Sequence, residues 1–406
     1  MMTIDQLEYG IVRFGTPLYV FDLDEADRVI SDVRKTTEES AKLCFAMKAN
    51  PFLVNRIAYL ADRIEVCSRG EYEICRTLGV DPGKLLISGV LKERKDLERI
   101  LADCRGACVY TVESMNQLIL LAQWAQKHQE RLHAYLRLTS GNQFGMDKKT
   151  VKELFSIRKS FPLITIDGLH FFSGTQKRSS DAFKQELTWL DQFIRELETE
   201  ENFKLKALEY GPGIAIPYFK GQEDHRKEDL ENLCKAVRGL TWKGQVFLEM
   251  GRYLTGSAGY YLTSIKDLKT SDGKNYCIVD GGIHQFHYDG QIKGIYQPFV
   301  QISPQREEGE EKEWTICGSL CTDNDVLVKK IRLQGIKPGD ILVFHRAGAY
   351  AMTEGLSLFL SHSLPGIAFY SRQGGWKLAR AQQPTYLWNM EKEVKDGYTD
   401  SNFERH

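Results

Sequence analysis

Four short stretches hold residues whose types and spacing could do chemistry together. In Cys44-Phe45-Ala46-Met47-Lys48-Ala49-Asn50-Pro51 a lysine sits where an apolar run ends. Burial disfavours the charged form of lysine, and a neutral amine is a nucleophile that can form a Schiff base with a carbonyl group. On position alone, a lysine that snorkels from a strand end toward solvent is the commoner case. Glu249-Met250-Gly251-Arg252 puts a carboxylate and a guanidinium at the end of another apolar run. Gly211-Pro212-Gly213 is a turn with little side chain, whose backbone N–H groups could cradle an anion. Ser173-Gly174-Thr175-Gln176 offers a hydroxyl and more backbone donors. Each signal is weak by itself, and a lone Gly-Pro-Gly is usually just a turn. A lysine, a carboxylate and a phosphate cradle together point to pyridoxal phosphate, which needs an amine for its carbonyl and a partner for its ring nitrogen.

Such residues must be carried to one place by a scaffold. Between about residues 24 and 255, eight short apolar runs alternate with amphipathic segments of helical length. The runs are 43–47, 63–67, 84–89, 107–112, 133–138, 164–172, 206–211 and 245–251. The segment 181–198, DAFKQELTWLDQFIRELE, has apolar residues three and four apart. Eight such alternations predict a (β/α)₈ barrel, with functional groups where strands end and the following loops begin. After about residue 255 short alternating runs separated by Ser271-Asp272-Gly273 and Pro338-Gly339-Asp340 predict a mostly antiparallel β domain. The strand-like stretch at 16–23 is expected to join it. The expected division is therefore 24–255 for the barrel and 1–23 plus 256–406 for the β domain, with a loosely held tail after about Pro384.

The chain has 406 residues, 42% hydrophobic and 27% charged, with Lys+Arg 54 against Asp+Glu 55. That balance provides no basic field for nucleic acid. No run approaches the roughly 18 apolar residues of a membrane span, and the start MMTIDQLEYG has no signal-peptide pattern. A soluble, cytoplasmic protein is expected. Nine cysteines are scattered without zinc-like spacing, so free thiols and no metal site are expected.

Several motifs, in order from Thr16 to about Ser371, resemble the fold-type III pyridoxal-phosphate decarboxylases that act on diaminopimelate, ornithine and arginine. The resemblance implies an alanine-racemase-like pair of domains and a homodimer with shared sites. FAMKANP resembles the Schiff-base motif, with Lys48 carrying the cofactor. EVCSRGEYE resembles the segment in which Glu65 and Glu71 flank it. GPGIAIPY resembles the phosphate loop, implicating Gly211 and Gly213, and Thr175 joins this cradle. EMGRY resembles the segment whose Glu249 pairs with the pyridinium nitrogen, with Gly251 and Arg252 by the phosphate. CGSLCTDND resembles the motif of the catalytic cysteine, here Cys321, which the family supplies from the neighbouring subunit. AGAY resembles the motif whose tyrosine, Tyr350, contacts the phosphate. A non-catalytic homologue would be expected to lack Lys48 or Cys321, and a racemase should use a tyrosine base where this chain has its cysteine motif.

Three departures bear on the substrate. The family's ring-stacking histidine is replaced by Phe172 in GLHFFSGTQ, with His170 two residues earlier; Phe172 can stack by its face but donates no hydrogen bond. Barrel packing is the competing reading for both rings. Thr322 follows Cys321 where relatives that bind a distal ammonium have an acid, although Asp323 and Asp325 could offer a shifted acidic contact. No arginine follows the DGG turn Asp280-Gly281-Gly282-Ile283-His284-Gln285-Phe286-His287 before Lys293, where diaminopimelate decarboxylases carry one. Cys321, Thr322, Arg137 and His287 are the expected substrate contacts. DGG with following histidines, SGTQ and LCT are similar to the branch that makes siderophores and specialised metabolites, including the decarboxylases of vibrioferrin and butirosin biosynthesis. Some of its members act on an amino acid attached to a carrier protein or a citryl group. The expected function is decarboxylation of an amino-acid-derived biosynthetic substrate, the alternative a diaminopimelate or ornithine/lysine decarboxylase.

Overall fold

The computed structural model describes residues 2–288 and 293–391. The chain opens with a helix, Ile4–Phe14, closed at its N-terminus by a reciprocal capping box between Thr3 and Gln6. Strand β1 (Leu18–Asp22) is wholly buried, and the Asp22 side chain accepts from Glu25 N (3.1 Å) to start helix Leu23–Thr37. Then come the eight barrel strands: β2 (Lys42–Ala46), β3 (Arg63–Val66), β4 (Leu85–Ile87), β5 (Val109–Val112), β6 (Leu132–Leu138), β7 (Ile164–Phe172), β8 (Ala207–Gly211) and β9 (Gln245–Met250). Each is parallel to the next, and β9 pairs back onto β2 to close the barrel. The eight expected runs are these eight strands. Their continuous apolar character follows from burial on both faces, by the interior on one side and helices on the other. The intervening helices start on side-chain caps: Ser68 accepts from Glu71 N, Ser114 from Gln117 N and Asp147 from Thr150 N.

The second domain is built from β10 (Gly259–Ser271), β11 (Lys274–Val279), β12 (Val300–Ser303), β13 (Glu311–Cys317), β14 (Val326–Gln334), β15 (Ile341–His345), β16 (Gly366–Ser371) and β17 (Gly375–Arg380). The sheet order is β14-β13-β11-β10-β1-β16-β17, with β15 bridging β10 and β12. All its pairs are antiparallel except β1–β16 and β11–β13. Strand β1 therefore lies in this sheet, between β10 and β16, and not in the barrel that follows it in sequence.

Strands β12, β16 and β17 and the first helix lie outside the expected pattern. β17, GWKLAR, is largely exposed, so it has little of the apolar alternation that marks a strand. Its Trp376 packs on Gly10 of the first helix, where a Cβ would lie 2.4 Å from the indole ring. The segment just after Pro384, expected to be loosely held, is anchored: Thr385 is buried and donates to the His362 carbonyl (2.7 Å); residues 392–406 lie outside the described residues. No described helix is long and apolar enough to cross a membrane.

The two domains are stitched at the C-terminal ends of the barrel strands. Tyr350 N donates to Ala49 O (2.8 Å), and Asn50 Nδ2 donates to Gly348 O (2.8 Å). A segment of the sheet domain is thereby held against the turn that follows β2.

Candidate active site

Strand β2 stops at Ala46, and Lys48 stands on the 3-10 turn Met47–Ala49 rather than in the strand itself. Its Nζ contacts Glu65 at the end of β3 and lies 3.3 Å from Glu249 Oε1 at the end of β9. The side chain keeps 37% of its surface exposed. Burial works against the ammonium, but Glu65 and Glu249 outweigh it and hold Lys48 well above the ordinary lysine range. The expectation of a lysine lowered by burial is therefore corrected: two carboxylates keep it protonated until its charge is taken elsewhere.

The other oxygen of Glu249, Oε2, is 3.0 Å from His170 Nε2. Burial pushes Glu249 up, yet Lys48 and His170 more than offset it and hold the carboxyl well below its usual range. Cys67 Sγ is 3.2 Å from Glu65 Oε1, and burial pushes this thiol well up. Glu65, His170 and Glu249 each offer one ligand atom within 4.8 Å of the others, a donor set that a divalent cation could use; here the cation among them is the Lys48 ammonium. Glu71 stands back from this group and accepts from Cys67 N (2.6 Å), pinning the turn after β3.

Across the mouth, the loops after β7 and β8 are zipped together. Lys177 N donates to Gly213 O (2.9 Å), Ala215 N to Lys177 O (3.0 Å), and the Gln176 amide pairs with both N and O of Ile216. Gly213 has φ +62°, and a Cβ there would lie 1.9 Å from Gly174 O, so only glycine lets the loops meet. A Cβ on Gly211 would lie 2.6 Å from the Phe172 ring, and one on Gly251 2.7 Å from Ala49 Cβ. Arg252 is buried beside this cradle, donating to Tyr218 Oη (2.6 Å) and Thr175 Oγ1 (3.3 Å), with its guanidinium 4.5 Å from the centre of the Tyr350 ring. Tyr350 takes the left-handed conformation, φ +61°, which turns its side chain into the site. Lys48, Glu65, Phe172, Thr175, Gly211, Gly213, Glu249, Gly251, Arg252 and Tyr350 thus converge on one barrel mouth. Their donor set fits pyridoxal phosphate: an amine for the carbonyl, a carboxylate for the ring nitrogen, and a guanidinium with a glycine-lined turn for the phosphate.

The expected substrate contacts are not all brought to this mouth. Arg137, at the end of β6, is buried and engaged with Glu113 Oε1 (2.9 Å), whose other oxygen accepts from Gly145 N (2.9 Å). Cys321 is exposed on the sheet domain, and among the described residues it makes no hydrogen bond or ion pair with the Lys48 group. Its loop is pinned by Asp325, which accepts from Ile283 N (2.8 Å) and Leu320 N (2.7 Å). Gly282 and Gly318 make room for that carboxylate, since a Cβ on either would lie within 2.8 Å of its oxygens. Of the two acids weighed for a shifted contact beside Thr322, Asp325 is turned inward as a loop pin, while Asp323 is exposed and pairs with Lys293 (3.2 Å).

His287 donates its backbone N–H to Ala351 O (2.9 Å), and its Nδ1 is buried without a partner among the described residues. His284 is fully buried against the His362 ring (4.9 Å between centroids). Burial and then His362 pull its pKa from 6.5 down to about 4. The unfolded chain therefore binds the extra proton first as pH falls. Stability from this group is complete above pH 6.5 and lost on descent to about 4, by about 3 kcal/mol. Melting temperatures recorded from pH 7 to 4 should show this fall, and His284→Leu should flatten it; an unchanged slope in the variant would remove His284 as the cause.

Sequence reasoning passed over His170 as a partner of Glu249 and Tyr218 as a partner of Arg252. A polar residue at the inward position two before Phe172, and the tyrosine that closes GPGIAIPY, were the available signals. Lys92, after β4, had none: it donates to Gly89 O, Thr111 Oγ1 and Gln117 Oε1, and burial lowers it to about 8.

A family model described as pyridoxal-dependent decarboxylase, C-terminal sheet domain, matches residues 18–348. The chain is 26% identical to the L-glutamyl-(BtrI acyl-carrier protein) decarboxylase of Niallia circulans, over 93% of this chain and 94% of that protein. It is 25% identical to the 2-((L-alanin-3-ylcarbamoyl)methyl)-2-hydroxybutanedioate decarboxylase of Staphylococcus aureus, over 87% and 94%. In fold it is similar to the crystal structure of a diaminopimelate decarboxylase from M. jannaschii, with a TM-score of 0.83, 21% identity, and coverage of 95% and 94%.

Proposed function

Because the chain belongs to the pyridoxal-dependent decarboxylase family, we propose that it removes the carboxyl group of an amino-acid-derived substrate in a siderophore or specialised-metabolite pathway, the substrate being conjugated or bound to a carrier protein. Pyridoxal phosphate, when bound, supplies the carbonyl that takes up the substrate amine and the ring that accepts the electron pair left by CO₂.

The residues divide the remaining work. Glu65, in contact with the Lys48 ammonium, is placed to take its proton and free the amine. Glu249, kept ionised, holds a hydrogen on the ring nitrogen through a charge-assisted bond. Arg252, Thr175, Tyr350 and the Gly213 turn hold the phosphate, and the face of Phe172 covers the ring. Cys321 is the acid that returns a proton to the carbon; exposed on its own chain, it acts in the site of a second copy, making the enzyme a homodimer.

The observation that carries the substrate reading is Thr322, a neutral residue beside Cys321 whose two nearby carboxylates, Asp323 and Asp325, already have other partners. Asp325 is turned away as a loop pin, so the position after Cys321 presents a neutral hydroxyl where a distal ammonium would need a charge. The names of two relatives run in the same direction. One acts on an L-glutamyl group on an acyl-carrier protein, the other on an alanine joined by a carbamoyl link to a hydroxybutanedioate. Release of CO₂ from a carrier-bound or hydroxy-acid-conjugated amino acid should exceed that from free diaminopimelate, ornithine or lysine by at least about 100-fold in kcat/KM. Preference for a free diamino acid would instead establish the alternative of a diaminopimelate or ornithine/lysine decarboxylase.

A further inference from the structure

The interior of this barrel carries a charged stack where Val, Ile and Leu usually fill such layers. Below Lys48 and Glu249 lies His170 on β7, fully buried, with Nε2 3.0 Å from Glu249 Oε2. In register with it on β8 is Glu209, also fully buried, whose Oε2 accepts from Arg63 Nη1 (2.6 Å). The Arg63 guanidinium lies 3.7 Å from the centre of the Phe247 ring. His170 Nδ1 has no partner among the described residues, and Glu209 faces the Cys44 thiol. Buried charges of this kind are often no more stabilising than well-packed apolar side chains, so packing alone does not account for them.

A carboxyl group rotates in a broad, two-fold well and can present either oxygen. The ionised Glu249 can only accept, so the hydrogen of the 3.0 Å bond rides on His170 Nε2. That bond ties down Oε2 and leaves Oε1, the oxygen nearest Lys48, facing the mouth. We propose that His170 is a positioning residue for the decarboxylation: it fixes the rotation of Glu249 and holds it as the carboxylate that keeps the ring nitrogen protonated. The inference rests on the reading of Glu249 as the ring-nitrogen partner.

The test compares holoenzymes of wild type, His170→Leu, His170→Gln and Glu249→Ala. Two quantities are read: the pH midpoint of the bound cofactor's visible absorbance, and kcat with KM. His170→Leu removes the donor and should lower kcat by about 10- to 100-fold with KM within about threefold. Its absorbance midpoint should move by about one pH unit or more. His170→Gln, which keeps an N–H of similar reach, should recover kcat to within about fivefold of wild type. A merely structural histidine would leave the midpoint where it is, and a wild-type midpoint and kcat in His170→Leu overturn the inference. If Glu249→Ala also leaves the midpoint unmoved, the reading of Glu249 has failed; if only Glu249→Ala moves it, the assignment of His170 alone has failed. Should the leucine variant not fold, His170→Asn takes its place. Its amide is too short to reach Oε2, so equal midpoints in the Asn and Gln variants overturn the inference and unequal ones support it.

Discussion

Lys48→Ala protein is expected to lose turnover by about 10³-fold or more, and borohydride should no longer fix pyridoxal phosphate to the chain. Lys48 is the amine held among Glu65, Glu249 and the Gly213 and Arg252 cradle. The other half-buried lysine near the mouth, Lys92, spends its three donors on Gly89, Thr111 and Gln117. Peptide mapping of reduced wild-type protein should place the label on Lys48, and a label elsewhere would sink the assignment. The same variant carries a stability signature. Without the ammonium, Glu65 and Glu249 face each other within 4.8 Å, so one of them takes a proton in the folded protein at a higher pH than in the unfolded chain. A raised folded-state pKa gives stability below the unfolded value that is lost as pH rises. Lys48→Ala should therefore melt lower than wild type at pH 8 and regain part of the difference at pH 5. A difference that does not change with pH would mean that the two carboxylates are not coupled through Lys48.

Cys321→Ala is expected to bind the cofactor normally yet lose about 10²- to 10⁴-fold in kcat, the range for removal of a positioned acid. Cofactor binding should be spared because the cradle is built from Thr175, Gly213 and Arg252 and does not include Cys321. If a second copy supplies this thiol, neither Lys48→Ala nor Cys321→Ala protein is active alone, but a mixture that exchanges subunits gains one intact site per mixed dimer. Random exchange makes half the dimers mixed, so about a quarter of wild-type activity should return. Mixed dimers demonstrated by differential tagging but without recovered activity would remove Cys321 from the shared site.

Much of this site is legible along the chain because each half of the chemistry is local. A barrel strand ends at a predictable place, and its last residues face the mouth, so Lys48, Glu249 and the Gly-Pro-Gly turn can be recognised from their runs. Edge strand β17 could not be, since one exposed strand lacks the alternation that burial imposes. The first helix depends on a partner far along the chain, Trp376 against Gly10, and no local pattern contains that contact. Asp325 looked like a turn residue or a substrate acid; its role as a pin for the Cys321 loop depends on Gly282 and Gly318, brought together by β11 and β13 lying side by side.

The residue types and their periodicity by themselves pointed to the barrel, the sheet domain and a lysine, carboxylate and anion cradle that together suit pyridoxal phosphate, while the role of each site residue came from the resemblance to the decarboxylase family. Local hydrophobic spacing and turn chemistry are sufficient for the barrel and the sheet domain. The charge state of the site was decided only by tertiary structure. Whether Lys48 is a neutral amine or an ammonium depends on Glu65 and Glu249 arriving from other strands, and whether Glu249 is free to turn depends on His170 from a third. Coulomb interactions fall with distance and not with sequence separation, so they are fixed when the barrel closes.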